Sequence, residues 1–468
     1  MRTTTTKLLA LGTAAALGLA ACGGSDEETV PAVSGEARPV QETEPAAGEQ
    51  TDATAEEAEA PAVETSTDDA ASTLRAELTA LLQEHVHLTA FAVDAVVEEG
   101  ADAPGAQSAV QALDESSTAL GERIAGIPSV DDPEAFLEPW QAHVDAYLDL
   151  AAARADEDDD AAAEATAALE EAPQPLADFF EEISDGELGA DELFGELETH
   201  VAMVTDAIDA HAGGDTEAVD LWRDAALQMD ALAADVAEGI VAAHPDELAG
   251  DPLSVAAETR ATLTSALVEH TYLTLFAAGE AADAGGATDD PAVQAAVTTL
   301  DSSADDLANA ASGVQGMDGR DAFLDAWRPF LTAATDFAAA TASGDAAAAE
   351  EARSTMDAAP DQLATVFQEA TAGNTAADLT DVLTTHVTNL TAAIEAIVAD
   401  DPAAATQART AAQHATTVAA GLAAAFDTAA SEAPTGDGSA AGSDTAATES
   451  EGAGGTDTAG TSGTGVEG

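Results

Sequence analysis

The spacing Leu-x-x-His, followed each time by Val or Thr, occurs four times in this chain: Leu82 to His85-Val86, Leu197 to His200-Val201, Leu267 to His270-Thr271 and Leu383 to His386-Val387. Each copy opens a long Ala-rich stretch, and each histidine falls among apolar residues at helical spacing. In the first, Leu74, Leu78, Leu81, His85, Leu88, Ala92 and Ala95 follow alternating steps of four and three, which keeps them on one stripe of a helix. Leu193, Leu197, His200, Val204 and Ala207 repeat the count, as do Leu379, Leu383, His386, Leu390 and Ala393. The histidines are therefore expected on core-facing seams of an all-α protein. No segment alternates with period two over a strand's length, so no sheet is expected.

The chain is also internally duplicated. Glu84-His85-Val86-His87-Leu88 returns as Glu269-His270-Thr271-Tyr272-Leu273, a shift of 185. Ala135-Phe136-Leu137-Glu138-Pro139-Trp140 returns as Ala322-Phe323-Leu324-Asp325-Ala326-Trp327, a shift of 187. These shifts predict two tandem His-containing helical-bundle domains of about six helices each, at 72–244 and 256–428. In the first, helices are expected at 72–99, 105–125, 132–155, 160–184, 190–212 and 215–243. Asp-Pro pairs at Asp132, Asp290 and Asp401 supply N-cap acceptors, while Gly100, Gly126, Gly186 and Gly213-Gly214 mark ends.

Two further seam positions carry histidine. The third helix reads Phe136, Trp140, His143, Tyr147, Leu150, and its counterpart reads Phe323, Trp327, Phe330, Ala334, Phe337. Gln228 in the sixth helix corresponds to His414. The candidate metal ligands are thus His85, His143 and His200 in the first copy, and His270, His386 and His414 in the second. Neutral imidazoles on facing helices suit Zn, Cu, Ni or Fe. The competing reading makes each a buried packing residue, hydrogen-bonded across the bundle. The exchange of His143 for Phe330 favours packing, as does the helical spacing of Trp140, Trp327, Tyr147 and Phe136. A third reading has buried histidines charging in acid and loosening the bundle. A di-iron centre is excluded, because Glu84-His85 and Glu269-His270 are adjacent rather than Glu-x-x-His.

The remaining segments bound where the chain works. Arg2 and Lys7 precede an apolar run, Leu8 to Leu19, that ends in Leu19-Ala20-Ala21-Cys22. The run is too short to span a membrane as a mature helix. This start resembles a bacterial lipoprotein signal with its lipobox. The resemblance implies removal of residues 1–21, lipid attachment at Cys22, and an extracytoplasmic protein held at the outer face of the cell membrane by that lipid alone. Cys22 is the only cysteine, so neither a disulfide nor a thiolate metal site is available. Residues 22–71 read as a disordered acidic tether and 429–468 as a disordered tail, both poor in large apolar side chains.

Ninety acidic residues oppose 12 basic ones, and Lys7 is the sole lysine. Such a surface repels nucleic acid and anionic lipid headgroups, and it suits a salty exterior where screening relieves self-repulsion. Asp156-Glu157-Asp158-Asp159-Asp160 lacks the glycine and ligand spacing of an EF-hand loop and reads as a solvated turn.

The Glu-His-Val-x-Leu, Trp-x-x-His and Leu-x-x-His-Val elements resemble helical repeats of secreted Gram-positive proteins labelled copper amine oxidase-like. That label belongs to a separate neighbouring domain, so the resemblance implies a helical extracellular module and no activity. No phosphate loop, Gly-x-Ser-x-Gly, His-Glu-x-x-His or nucleophilic cysteine is present, so no enzyme is expected. The sequence thus favours a non-enzymatic binding or envelope role, with partner and ligand open. Its alternative is a metal-binding or metal-handling lipoprotein that uses the core histidines.

Overall fold

The computed structural model describes residues 66–313, 319–371, 373 and 379–432. The expected signal, Cys22, most of the tether and nearly all of the tail lie outside the described residues. Among those described there are thirteen helices and no strand. The first repeat holds α1 (Ala70–Glu99), α2 (Pro104–Ala125), α3 (Glu134–Ala155), α4 (Asp159–Glu171), α5 (Pro173–Ile183), α6 (Ala190–Gly213) and α7 (Ala218–Ala243). The second holds α8 (Val255–Asp283), α9 (Pro291–Gly313), α10 (Arg320–Ser343), α11 (Ala346–Ala370), α12 (Leu379–Val398) and α13 (Ala404–Glu432). None of the described helices is long and apolar enough to cross a membrane.

The duplication reaches the helix caps. Asp69 accepts from the Ser72 amide to start α1, and Ser254, 185 positions on, accepts from the Ala257 amide to start α8. Asp158 and Asp345, related by 187, cap α4 and α11 in the same way. The acidic run is therefore a capped turn. One expected helix, 160–184, is divided: the chain breaks at Pro173, two residues before Pro175. Each proline removes an amide donor and crowds the preceding turn. The corresponding α11 has only Pro360 there and stays continuous.

Helices α1 and α8 are the central helices of their repeats, and they pack against each other. Residues 82–90 of α1 and 263–275 of α8 are buried on every side. The expected single apolar stripe accounts for only one of those sides. The His87 ring stacks on Tyr272 at 4.8 Å, and Phe91 stacks on Phe276 at 4.6 Å. His87 with Tyr272 and Phe91 with Phe276 are each related by the repeat shift of 185, so the two helices run parallel about a local twofold axis. The described helices belong to one compact unit, and apolar residues of both repeats join in one core.

Polar contacts across this axis come in reciprocal pairs. Arg75 donates to the Pro252 carbonyl and pairs with Glu258; its counterpart Arg260 donates to the Thr67 carbonyl and to Thr73. Positions 252 and 258 are the repeat equivalents of 67 and 73. Glu84 pairs with Arg409 and Glu269 with Arg223, each at 2.7 Å. One cluster has no mirror image: Asp230 accepts from Ser265 at 2.6 Å and from Gln83 at 3.0 Å. Thr67 is buried, so the chain is folded from Ser66, slightly ahead of the expected start at 72.

Candidate metal centre

Three helices of the first repeat deliver one histidine each to a common point: α1 gives His85, α3 His143 and α6 His200. One turn earlier, Leu82, Trp140 and Leu197 together line an apolar cavity of about 20 Å³. The three helices are therefore parallel and in register, and the histidines form the next layer. Their rings stand 5.7, 6.0 and 5.8 Å apart between centroids. Each offers a ring nitrogen within 4.8 Å of the other two. Three nitrogens bound to one tetrahedral ion at about 2.1 Å stand about 3.4 Å from one another, so modest ring rotation closes the set around an ion.

The donors are buried and uncommitted. His85, His143 and His200 are 2 %, 3 % and 3 % exposed. Both ring nitrogens of His85 and the Nδ1 atoms of His143 and His200 have no hydrogen-bond partner among the described residues. His244, by contrast, is satisfied, its Nε2 meeting the Ser129 hydroxyl and the Ile183 carbonyl, both at 3.0 Å. The buried His87, His270 and His386 also have both ring nitrogens without a partner among the described residues, so convergence rather than lack of partners sets the three apart. Uncompensated burial of a polar group carries a cost, so three neighbouring unsatisfied imidazoles form an unusual core layer.

Burial also fixes their charge state. It lowers His85 to about 3, with His200 adding repulsion, and lowers His200 to about 4. His143 is held well below the usual imidazole range by burial and then by His85 and His200. All three are neutral near pH 7, the form in which imidazole binds metal. Two other rings touch the layer. Trp140 covers His85 at 4.6 Å while its indole N–H donates to Ser117 at 3.2 Å. Tyr147 stands edge-on to His143 at 4.4 Å and to His200 at 6.4 Å.

In the second repeat His270 lies under Trp327 at 4.6 Å and 58°, matching His85 under Trp140 at 4.6 Å and 56°. Phe330 fills the place of His143, 6.0 Å from His270. His386 and His414 stack at 6.2 Å. Among the described residues, only His85, His143 and His200 form a cluster of three or more metal-type donors, so His270, His386 and His414 do not gather as the first three do. Burial lowers His386 to about 4 and His270 well below the usual range.

Sequence reasoning left His87 without a role, although it is fully buried beside Tyr272 at the repeat axis. It also left the second faces of α1 and α8 unassigned. The signal was present: Glu84 and Glu269 recur beside the seam histidines, where a charge on a buried helix demands a partner.

Fold and site together define an all-α, duplicated bundle with one buried three-histidine cluster. Comparisons with protein families, with curated proteins and with solved structures each give no match.

Proposed function

We propose that this protein binds a transition-metal ion through His85, His143 and His200, and carries it at the outer face of the cell membrane, anchored by lipid on Cys22. The observation behind the metal reading is the convergence of three buried, neutral imidazoles, each with at least one ring nitrogen that has no hydrogen-bond partner among the described residues. An all-nitrogen set suits zinc, copper or nickel better than calcium or magnesium, which take oxygen ligands. The formal net charge of −78 raises the local concentration of cations around the molecule. The anchoring half of the reading rests on Leu19-Ala20-Ala21-Cys22.

Metal analysis of the purified protein, with thermal melts before and after chelation, tests the first half. The expected result is one equivalent of metal and a melting point that falls on chelation. Free ion at a hundred times its dissociation constant adds about 2.7 kcal/mol of stability. Absence of bound metal together with a melt indifferent to added Zn, Cu and Ni rejects it. Replacing Cys22 by Ala should release the protein from membranes; retention would reject the anchor.

A metal-free binding or envelope role is the second reading, and one observation favours it. His270 is as deeply buried under its tryptophan as His85, yet it has no such cluster around it, so this fold uses buried histidine without requiring a metal.

A further inference from the structure

The geometry points to Tyr147 as a fourth donor to the ion, its phenolate oxygen completing a three-imidazole, one-phenolate set; this inference rests on the metal reading above. Three imidazoles leave a four-coordinate ion one ligand short. With the histidines 2–3 % exposed, bulk water is not at hand to supply it.

Two non-histidine rings touch the cluster. The polar atom of Trp140 is committed to Ser117. The hydroxyl of Tyr147 is buried and has no hydrogen-bond partner among the described residues, and its residue is 0 % exposed. Tyr147 follows His143 by one turn on α3 and meets both His143 and His200, so it flanks the layer on the side away from Trp140. The duplication provides an internal comparison. Where the second repeat replaces His143 by Phe330, it also replaces Tyr147 by Ala334. Trp140, which makes no ligand-type contact, is kept as Trp327. The two changed positions behave as one unit, and that unit is missing where the cluster is missing.

On binding, the phenol oxygen forms the bond to the metal and its proton leaves to solvent. Three neutral imidazoles and one phenolate carry a single negative charge, a match for an oxidised, moderately hard ion such as copper(II) or iron(III). Tyr147 and Tyr272 are the only tyrosines in the chain, so a tyrosinate signal can be assigned by substitution.

Copper(II) titration of the full chain, followed by visible absorption, tests the inference. One equivalent should bind with a phenolate-to-copper charge-transfer band. Tyr147→Phe should still bind one equivalent, at least tenfold more weakly, and lose the band. Tyr272→Phe should keep both affinity and band. Copper bound at full stoichiometry without such a band, or a band that survives Tyr147→Phe, overturns the tyrosine ligand while leaving the three-histidine site standing. Failure to bind copper, zinc or nickel overturns the parent reading and this one with it.

Discussion

Glu84 and Arg409 lie 325 positions apart and meet at 2.7 Å across the repeat axis, both nearly buried. Glu269 and Arg223 make the same pair with the roles of the repeats exchanged. Each repeat thus contributes one buried carboxylate and one guanidinium, which makes the interface self-complementary like that of a twofold dimer. Glu84 immediately precedes His85, so the same turn of α1 faces the partner repeat on one side and the histidine cluster on the other.

Arg409→Ala should therefore cost about 3 kcal/mol or more, because it strands a buried carboxylate. Arg223→Ala should cost a similar amount, since its partner Glu269 is equally buried. Burial already raises the Glu84 carboxyl, with Arg409 opposing that shift. A raised carboxyl favours folding at low pH and loses that contribution as pH climbs through its folded value. Chemical denaturation of Arg409→Ala should show its deficit shrinking as pH falls; a deficit constant from pH 5 to 8 would contradict the pairing.

His143→Phe copies the Phe330 arrangement already tolerated in the second repeat. It should fold, change metal-free stability by less than about 1.5 kcal/mol, and abolish metal binding at the first repeat. Equilibrium metal titration and thermal melts measure the two effects separately. Retained stoichiometric binding would remove His143 from the site.

Acid should weaken the metal-free fold through these same histidines. His85 and His200 titrate at about 3 and about 4 when folded, against about 6.5 when unfolded. The unfolded chain then binds more protons below pH 6.5, so stability is full above that value and declines as pH falls toward 4. Each such group contributes about 1.4 kcal/mol per pH unit in that window. Asp230, raised by burial to about 7, acts in the opposite sense, losing its contribution as pH rises through 7. Comparing His143→Phe with the parent chain cancels the carboxylate part. The variant's stability should fall less steeply between pH 6 and 4, and equal slopes would show that His143 is not held neutral.

Glu157 ends α3 in a left-handed conformation, φ 56°, at the position where the second repeat has Gly344, φ 76°. A side chain is disfavoured there and glycine is not. Glu157→Gly should raise stability by about 0.5–1 kcal/mol in denaturant titrations, and a loss would mean that the Glu157 side chain makes a compensating contact.

Much of this was legible in the chain. Steps of four and three through Leu74, Leu78, Leu81, His85 and Leu88 required helices, although Leu82 rather than Leu81 is the buried leucine there, and Asp-Pro pairs and glycines placed most of their ends. The shift of 185–187 required a duplicated architecture, and the seam count put His85, His143 and His200 indoors. Periodicity is a property of one helix, however, and it reports one buried face at a time. That the middle stretches of α1 and α8, residues 82–90 and 263–275, are buried all round, and that Glu84, His87 and Phe91 face the other repeat, depends on two distant segments docking.

Sequence alone therefore determined the helices, their duplication and the inward turn of the histidines, because these follow from local spacing and from repetition along the chain. Tertiary structure decided which imidazoles converge. Three parallel helices in register bring His85, His143 and His200 within 4.8 Å of one another, while Phe330 in the equivalent place leaves the second repeat without that cluster. A separation of a few ångströms between side chains on different helices is set by helix packing, which no pattern within a single helix encodes.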